Sequence, residues 1–123
     1  MGLDANLYKA PKKYEDVPFI SPNDSFSDSE FEELHYWRKF WPLQYWMERL
    51  YRKKGGTEEF NCVYLQLTKD DLKQLKKDCK YFDKEASMFP EDSKKLKLVL
   101  DKAGKIIDNG ECVFYWCWYY KKM

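Results

Sequence analysis

The chain has 123 residues, enough for one domain with its own core and too few for two of ordinary size. Lys and Arg total 22 against 21 Asp and Glu, and the net charge of +1 excludes a strongly basic nucleic-acid coat and a strongly acidic solvating tail. Aromatic residues are the outlier at 23 of 123, beside an ordinary apolar content of 44%.

Met1 to Asn6 holds no basic segment followed by an apolar run, so no signal peptide is expected. Gly2 invites myristoylation, but that motif needs Ser or Thr where Asn6 stands. No stretch reaches the ~18 apolar residues of a membrane span. The expected location is a cytoplasm. There, Cys62, Cys79, Cys112 and Cys117 are expected as reduced, mostly buried thiols, and the Asn23-Asp24-Ser25 sequon has no meaning.

Residues 2–9 predict a short strand, with Leu3 and Leu7 apolar. Residues 10–29, with Pro11, Pro18, Pro22 and a Ser/Asp/Asn cluster, predict a long loop. Seven acids gather here and just beyond: Glu15, Asp16, Asp24, Asp28, Glu30, Glu32 and Glu33. The rest of the chain then holds 22 basic and 14 acidic residues, a net +8. Such a loop is either a solvated segment or an acidic surface aimed at a basic partner.

Residues 31–54 hold eight aromatics. Pro42 is welcome only in a first helical turn, which places a helix from about Trp41 to Lys54, before Gly55-Gly56. Leu43, Trp46, Met47 and Leu50 form its apolar stripe. Leu34 to Trp37 reads as a strand or a helical turn. Residues 60–67 predict a strand, with Val63, Leu65 and Leu67 on one face and Cys62, Tyr64 and Gln66 on the other. Thr68 caps the next helix, whose buried stripe is Leu72, Leu75, Cys79 and Phe82. A turn or short strand at 86–90 precedes a third helix from Glu91 to about Ile107. Leu96, Val99, Leu100, Ala103 and Ile107 face inward there. Asn109-Gly110 turns the chain into a last strand, 111–120. That strand is apolar on both faces and so belongs in the middle of its sheet, with cover on each side. The order of elements gives an α+β domain: a small antiparallel or mixed sheet of three to four strands with about three helices.

No motif identifies a reaction. The lone histidine, His35, has no spacing that ties it to a nucleophile. No CxxC pair offers a zinc site, and Cys112 and Cys117 point to opposite faces of one strand. No phosphate loop or GxSxG is present, and Gly55-Gly56 reads as a helix stop. No catalytic residue, cofactor or metal is expected. The lysine rows Lys73, Lys76, Lys77, Lys80 and Lys94, Lys95, Lys97 read as solvated faces.

Two strings interleave aromatic and basic residues: Tyr36-Trp37-Arg38-Lys39-Phe40-Trp41 and Tyr119-Tyr120-Lys121-Lys122. Such strings can stack bases and hold phosphate. Trp37, Trp46, Phe114 and Trp116 are equally the natural fillers of a core this size. Surplus Trp, Tyr and Arg at a surface are the residues that dominate protein–protein contacts.

Met1-Gly2-Leu3-Asp4 with Leu7-Tyr8, and Glu33 followed by Tyr36-Trp37-Arg38-Lys39, resemble the "MGLD…LY" and "YWRK" segments of a widespread family of small bacteriophage and prophage proteins. The Asn61-Cys62 strand, the Leu/Lys helix after it and the aromatic last strand fit the same family. The chain departs from it in the acidic insertion at 15–33 and in a shortened stretch near Met88-Phe89-Pro90. The family has no agreed function, and the kinase-like names of some members find no phosphate loop here. The resemblance implies a phage context, in which small non-enzymatic proteins commonly disable a host factor.

The reading from sequence is therefore a phage-encoded inhibitor of a bacterial defence system, of the anti-CRISPR kind. It would bind a host defence nuclease or effector complex. Asp24, Asp28, Glu30, Glu32 and Glu33 would mimic nucleic-acid phosphates, with Tyr36, Trp37, Arg38 and Trp41 as an aromatic interface. The alternative is a nucleotide-signal sponge or single-strand binder that uses Trp/Tyr stacking with Arg38, Lys39 or Arg52 on phosphate. A homodimer through an exposed edge of the last strand is a further expectation.

Overall fold

A computed structural model describes residues 2–82 and 90–120. The chain runs β1 (Leu3–Ala10), β2 (Phe19–Ile20), β3 (Glu32–Arg38), α1 (Trp41–Lys53), β4 (Tyr64–Leu67), α2 (Lys69–Asp78), α3 (Pro90–Asp108) and β5 (Cys112–Tyr119). The five strands form one antiparallel sheet in the order β2-β4-β5-β1-β3. The α+β class and the three helices are as predicted. The sheet gains a strand over the expected count because two residues of the long loop, Phe19 and Ile20, pair with Leu65 and Tyr64. The turn expected at 86–89, and Lys121 and Lys122, lie outside the described residues.

Local chemistry explains the starts of α1 and α2. Pro42 stands in the first turn of α1, where its missing N–H costs nothing. Thr68 begins α2 with a complete capping box. The Asp71 N–H donates to Thr68 Oγ1 at 3.2 Å, and the Thr68 N–H donates to Asp71 Oδ2 at 2.8 Å. Gly55 ends α1 at φ +102°, the left-handed region. Gly56 does a different job: a Cβ there would lie 2.2 Å from the ring of buried Tyr51. Gly56→Ala is expected to destabilise by about 2–3 kcal/mol and Gly55→Ala by about 1 kcal/mol. Urea unfolding of the two variants checks that order.

Strand parity divides the side chains. Leu3, Ala5 and Leu7 of β1, Val113, Tyr115 and Cys117 of β5, and Leu65 and Leu67 of β4 are buried in one core. Leu43, Met47, Leu72, Leu75, Leu96, Leu100 and Ala103 of the helices complete it. The core holds one polar chain. Tyr115 donates its hydroxyl to Gln44 Oε1 at 2.7 Å, and Gln44 Nε2 donates to Cys117 Sγ at 3.2 Å. Tyr115→Phe leaves the Gln44 oxygen unpaired, and a loss of about 1–2 kcal/mol is expected in denaturant unfolding.

β5 lies in the middle of the sheet, as its two apolar faces require. Both of its edges are taken. β1 pairs along its whole length, β4 pairs with its first half, and Cys62 N–H donates to Cys117 O at 2.8 Å beyond β4. Asn61 closes the end, its amide bonded to both the O and the N–H of Tyr119. The edge of β5 expected to be exposed is not exposed: both edges are occupied within the chain.

Candidate functional site

The second face of the sheet has two halves. Over the first half lies the acidic loop, held by aromatic rings. Phe31 sits 5.1–5.3 Å from Tyr14, Phe26, Tyr64 and Phe114, and 6.3 Å from Tyr8. Gln66 pins the loop's start, donating from Nε2 to the carbonyls of Tyr14, Glu15 and Val17 at 2.6–3.1 Å. Tyr64 pins its middle through a hydroxyl bond to Asp28 Oδ2 at 2.9 Å. Burial, with that bond second, pushes the Tyr64 phenol far above its ordinary range.

Asp24, Asp28, Glu30, Glu32 and Glu33 are exposed, yet each of the five has a local partner. Asp24 accepts from the Ser21 N–H at 2.8 Å, Asp28 from Tyr64, and Glu33 from the Asn6 amide. Glu30 pairs with Lys13, and Glu32 with Lys9 at 3.2 Å. The five acids expected to mimic phosphates are thus engaged within the fold, two of them neutralised by lysine.

The other half of this face is open. Cross-strand register sets Trp116 of β5, Asn6 of β1 and Tyr36 of β3 in one row, and Trp118, Asp4 and Arg38 in the next. Tyr36 is 47% exposed and Trp118 42%, with Tyr120 beyond at 63%. Trp116 is half-buried against Tyr64, ring centroids 6.1 Å apart. Tyr36 donates its hydroxyl to Asp4 Oδ1, and this hydrogen bond raises the phenol's pKa. The result is a polar column, Asp4 and Asn6, with Trp116 and Trp118 on one side and Tyr36 and Arg38 on the other.

The predicted string Tyr36 to Trp41 is dispersed by this geometry. Trp37 faces the opposite way from Tyr36 and is 2% exposed, packed 6.4 Å from Phe40 and 6.4 Å from Tyr115. It is a core residue, inaccessible to a partner, because alternate residues of a strand point to opposite faces. His35 lies on that same side, 4.8 Å from the Trp37 ring. Lys39 turns the chain at φ 57°, and Phe40 is buried. Trp41 stands on the helix side with Tyr45 and Tyr119, at 5.7 and 6.2 Å, away from the open face. Only Tyr36 and Arg38 of the string belong to it. Trp116, Trp118, Asp4 and Asn6 join them, none expected in a site; Trp116, expected as a core filler, is instead half-buried on this face.

Other chemistry is sparse. Burial pushes the Cys117 thiol up to about 12 and raises those of Cys62 and Cys112, which makes them poor nucleophiles. Cys62 is the least buried of the four cysteines, and native-state alkylation followed by mass spectrometry is expected to label it first. Among the described residues, no group of three or more His, Cys, Asp or Glu side chains is placed to hold a metal ion, and no helix is long and apolar enough to cross a membrane. No family model matches the chain, and neither a curated protein nor a solved structure is similar to it.

Proposed function

We propose that this chain is a non-enzymatic binding protein that holds a partner protein on the open half of its sheet. The observation that carries the reading is the pair Tyr36 and Trp118, exposed beside Arg38 on one face of the sheet, with exposed Tyr120 just past the end of β5. Trp, Tyr and Arg are the residues in which binding energy concentrates at protein interfaces. On this face two carboxylates, Asp4 and Glu33, outnumber one guanidinium. That balance favours a protein over a phosphate backbone. The partner class carried into the reading is a host defence nuclease or effector complex. It rests on the phage-family resemblance of the opening and YWRK segments, and it makes the chain an anti-defence inhibitor.

Phosphate mimicry by the loop takes second place, because its acids are engaged in local hydrogen bonds and ion pairs. Capture of a host partner from lysate at low and high salt separates the two. Trp118→Ala is expected to reduce capture at least about tenfold. Joint neutralisation of Asp24, Asp28, Glu30, Glu32 and Glu33 is expected to leave most of it. The reverse pattern restores the mimicry reading, and full capture by both variants overturns the interface.

A nucleotide or single-strand binder is the alternative, favoured by Trp116 and Trp118 alternating on the central strand with Arg38 two strands away. Quenching of tryptophan fluorescence by a panel of mono-, di- and cyclic nucleotides and short single strands is its test.

A further inference from the structure

We infer that the open half of the sheet reads an arginine side chain presented by an extended segment of the partner protein; the inference rests on the protein-binding reading above. Asp4 is central to it. It stands directly across β1–β5 from Trp118 and across β1–β3 from Arg38. Its Oδ1 accepts from Tyr36, while Oδ2 has no hydrogen bond among the described residues. The carboxylate is therefore oriented by a phenol, with one oxygen unbonded among the described residues, beside an exposed indole.

Strand spacing sets the scale. β5 and β3 flank β1, so Trp118 and Tyr36 stand on strands about 10 Å apart. A planar cation stacked on the Trp118 indole comes within reach of the Asp4 carboxylate on the neighbouring strand. Arginine suits this better than lysine, because its guanidinium stacks on an aromatic face and donates in the plane to a carboxylate at the same time. Glu33 adds a second negative charge on this face, held by the Asn6 amide. Arg38 is the competing cation: it lies on the other side of Asp4 and opposes an incoming arginine.

That competition gives the inference a sign of its own. The probe is the blocked pentapeptide acetyl-Gly-Arg-Gly-Arg-Gly-amide, followed by tryptophan fluorescence and by amide NMR shifts. Saturable binding with shifts centred on Asp4, Tyr36 and Trp118 is expected. The lysine counterpart should bind about threefold more weakly. Asp4→Asn, which keeps an acceptor for Tyr36, and Trp118→Leu should each weaken binding by about tenfold. Arg38→Ala should strengthen it by about threefold. Circular dichroism establishes that each variant is folded. Absence of saturable binding overturns the inference. So does an Asp4→Asn variant that binds like the wild type, or a loss of affinity in Arg38→Ala, the sign expected of a phosphate ligand. Binding abolished by neutralising Asp24 and Glu30 alone overturns it too, since the loop would then be the site. Host-partner capture that depends on Trp118 without any binding of the arginine peptide sinks this inference and leaves the protein-binding reading. Peptide binding without Trp118-dependent capture does the opposite.

Discussion

Replacing Trp37 with alanine is expected to lower the unfolding free energy by about 4 kcal/mol, because a whole indole leaves a packed core. The contrast with Trp118 is the useful part. Trp118→Ala removes a ring that is 42% exposed, and should change stability by about 1 kcal/mol or less while it removes binding. A third variant sharpens the first. Among the described residues the Trp37 Nε1–H is buried without a hydrogen-bond partner. Trp37→Phe deletes that orphan donor along with some volume, so its cost should stay below about 2 kcal/mol. Urea unfolding of the three variants, beside partner capture, checks the division. A Trp37→Ala protein as stable as wild type would remove Trp37 from the core.

The second large effect belongs to Phe31. Its ring is the hub on which Tyr8, Tyr14, Phe26, Tyr64 and Phe114 meet. Phe31→Ala is expected to cost about 3 kcal/mol, at the low end for a core phenylalanine because the ring is half-buried. The loss should be accompanied by faster proteolysis between residues 20 and 30, where the ties that remain are exposed polar bonds, Tyr64 to Asp28 and Ser21 to Glu58, and the ring of Phe26. Neutralising the loop's acids should have a far smaller effect on stability, because their ion pairs with Lys9 and Lys13 are exposed. If Phe31→Ala left stability and proteolysis unchanged, the loop would not be anchored by its rings.

Much of the fold can be read from local rules. Pro42 and Thr68 mark helix starts, and the two-sided apolar pattern of 112–119 marks a central strand. These are short-range signals with a single physical cause each. What escaped is long-range. Phe60 to Val63 carries strand-like residues, but Cys62 adopts φ 61°, which breaks the extended run and shortens β4 to four residues. Phe19 and Ile20 become a strand only because β4 is there to pair with them. Tyr14, Phe26 and Phe31 sit at irregular spacing among acids, and no periodicity reveals that they share one cluster. The open face was hidden for the same reason. Its rows are made of residues from three strands, and Trp118 meets Asp4 only through the pairing of β5 with β1. Parity, by contrast, was available from sequence: once 32–38 is a strand, Tyr36 and Trp37 must part.

The pairing of Leu3 with Tyr119 has a consequence in time. At ribosomal rates of about 5–20 residues per second, the strand that emerges first waits roughly 5–20 s for the one it needs on its inner side. During that wait Leu3, Ala5 and Leu7 have β3 as their only neighbour in the sheet. The centre of the sheet closes last, with the insertion of β5 between β1 and β4. A nascent chain stalled before Cys112 has every helix and no middle to its sheet.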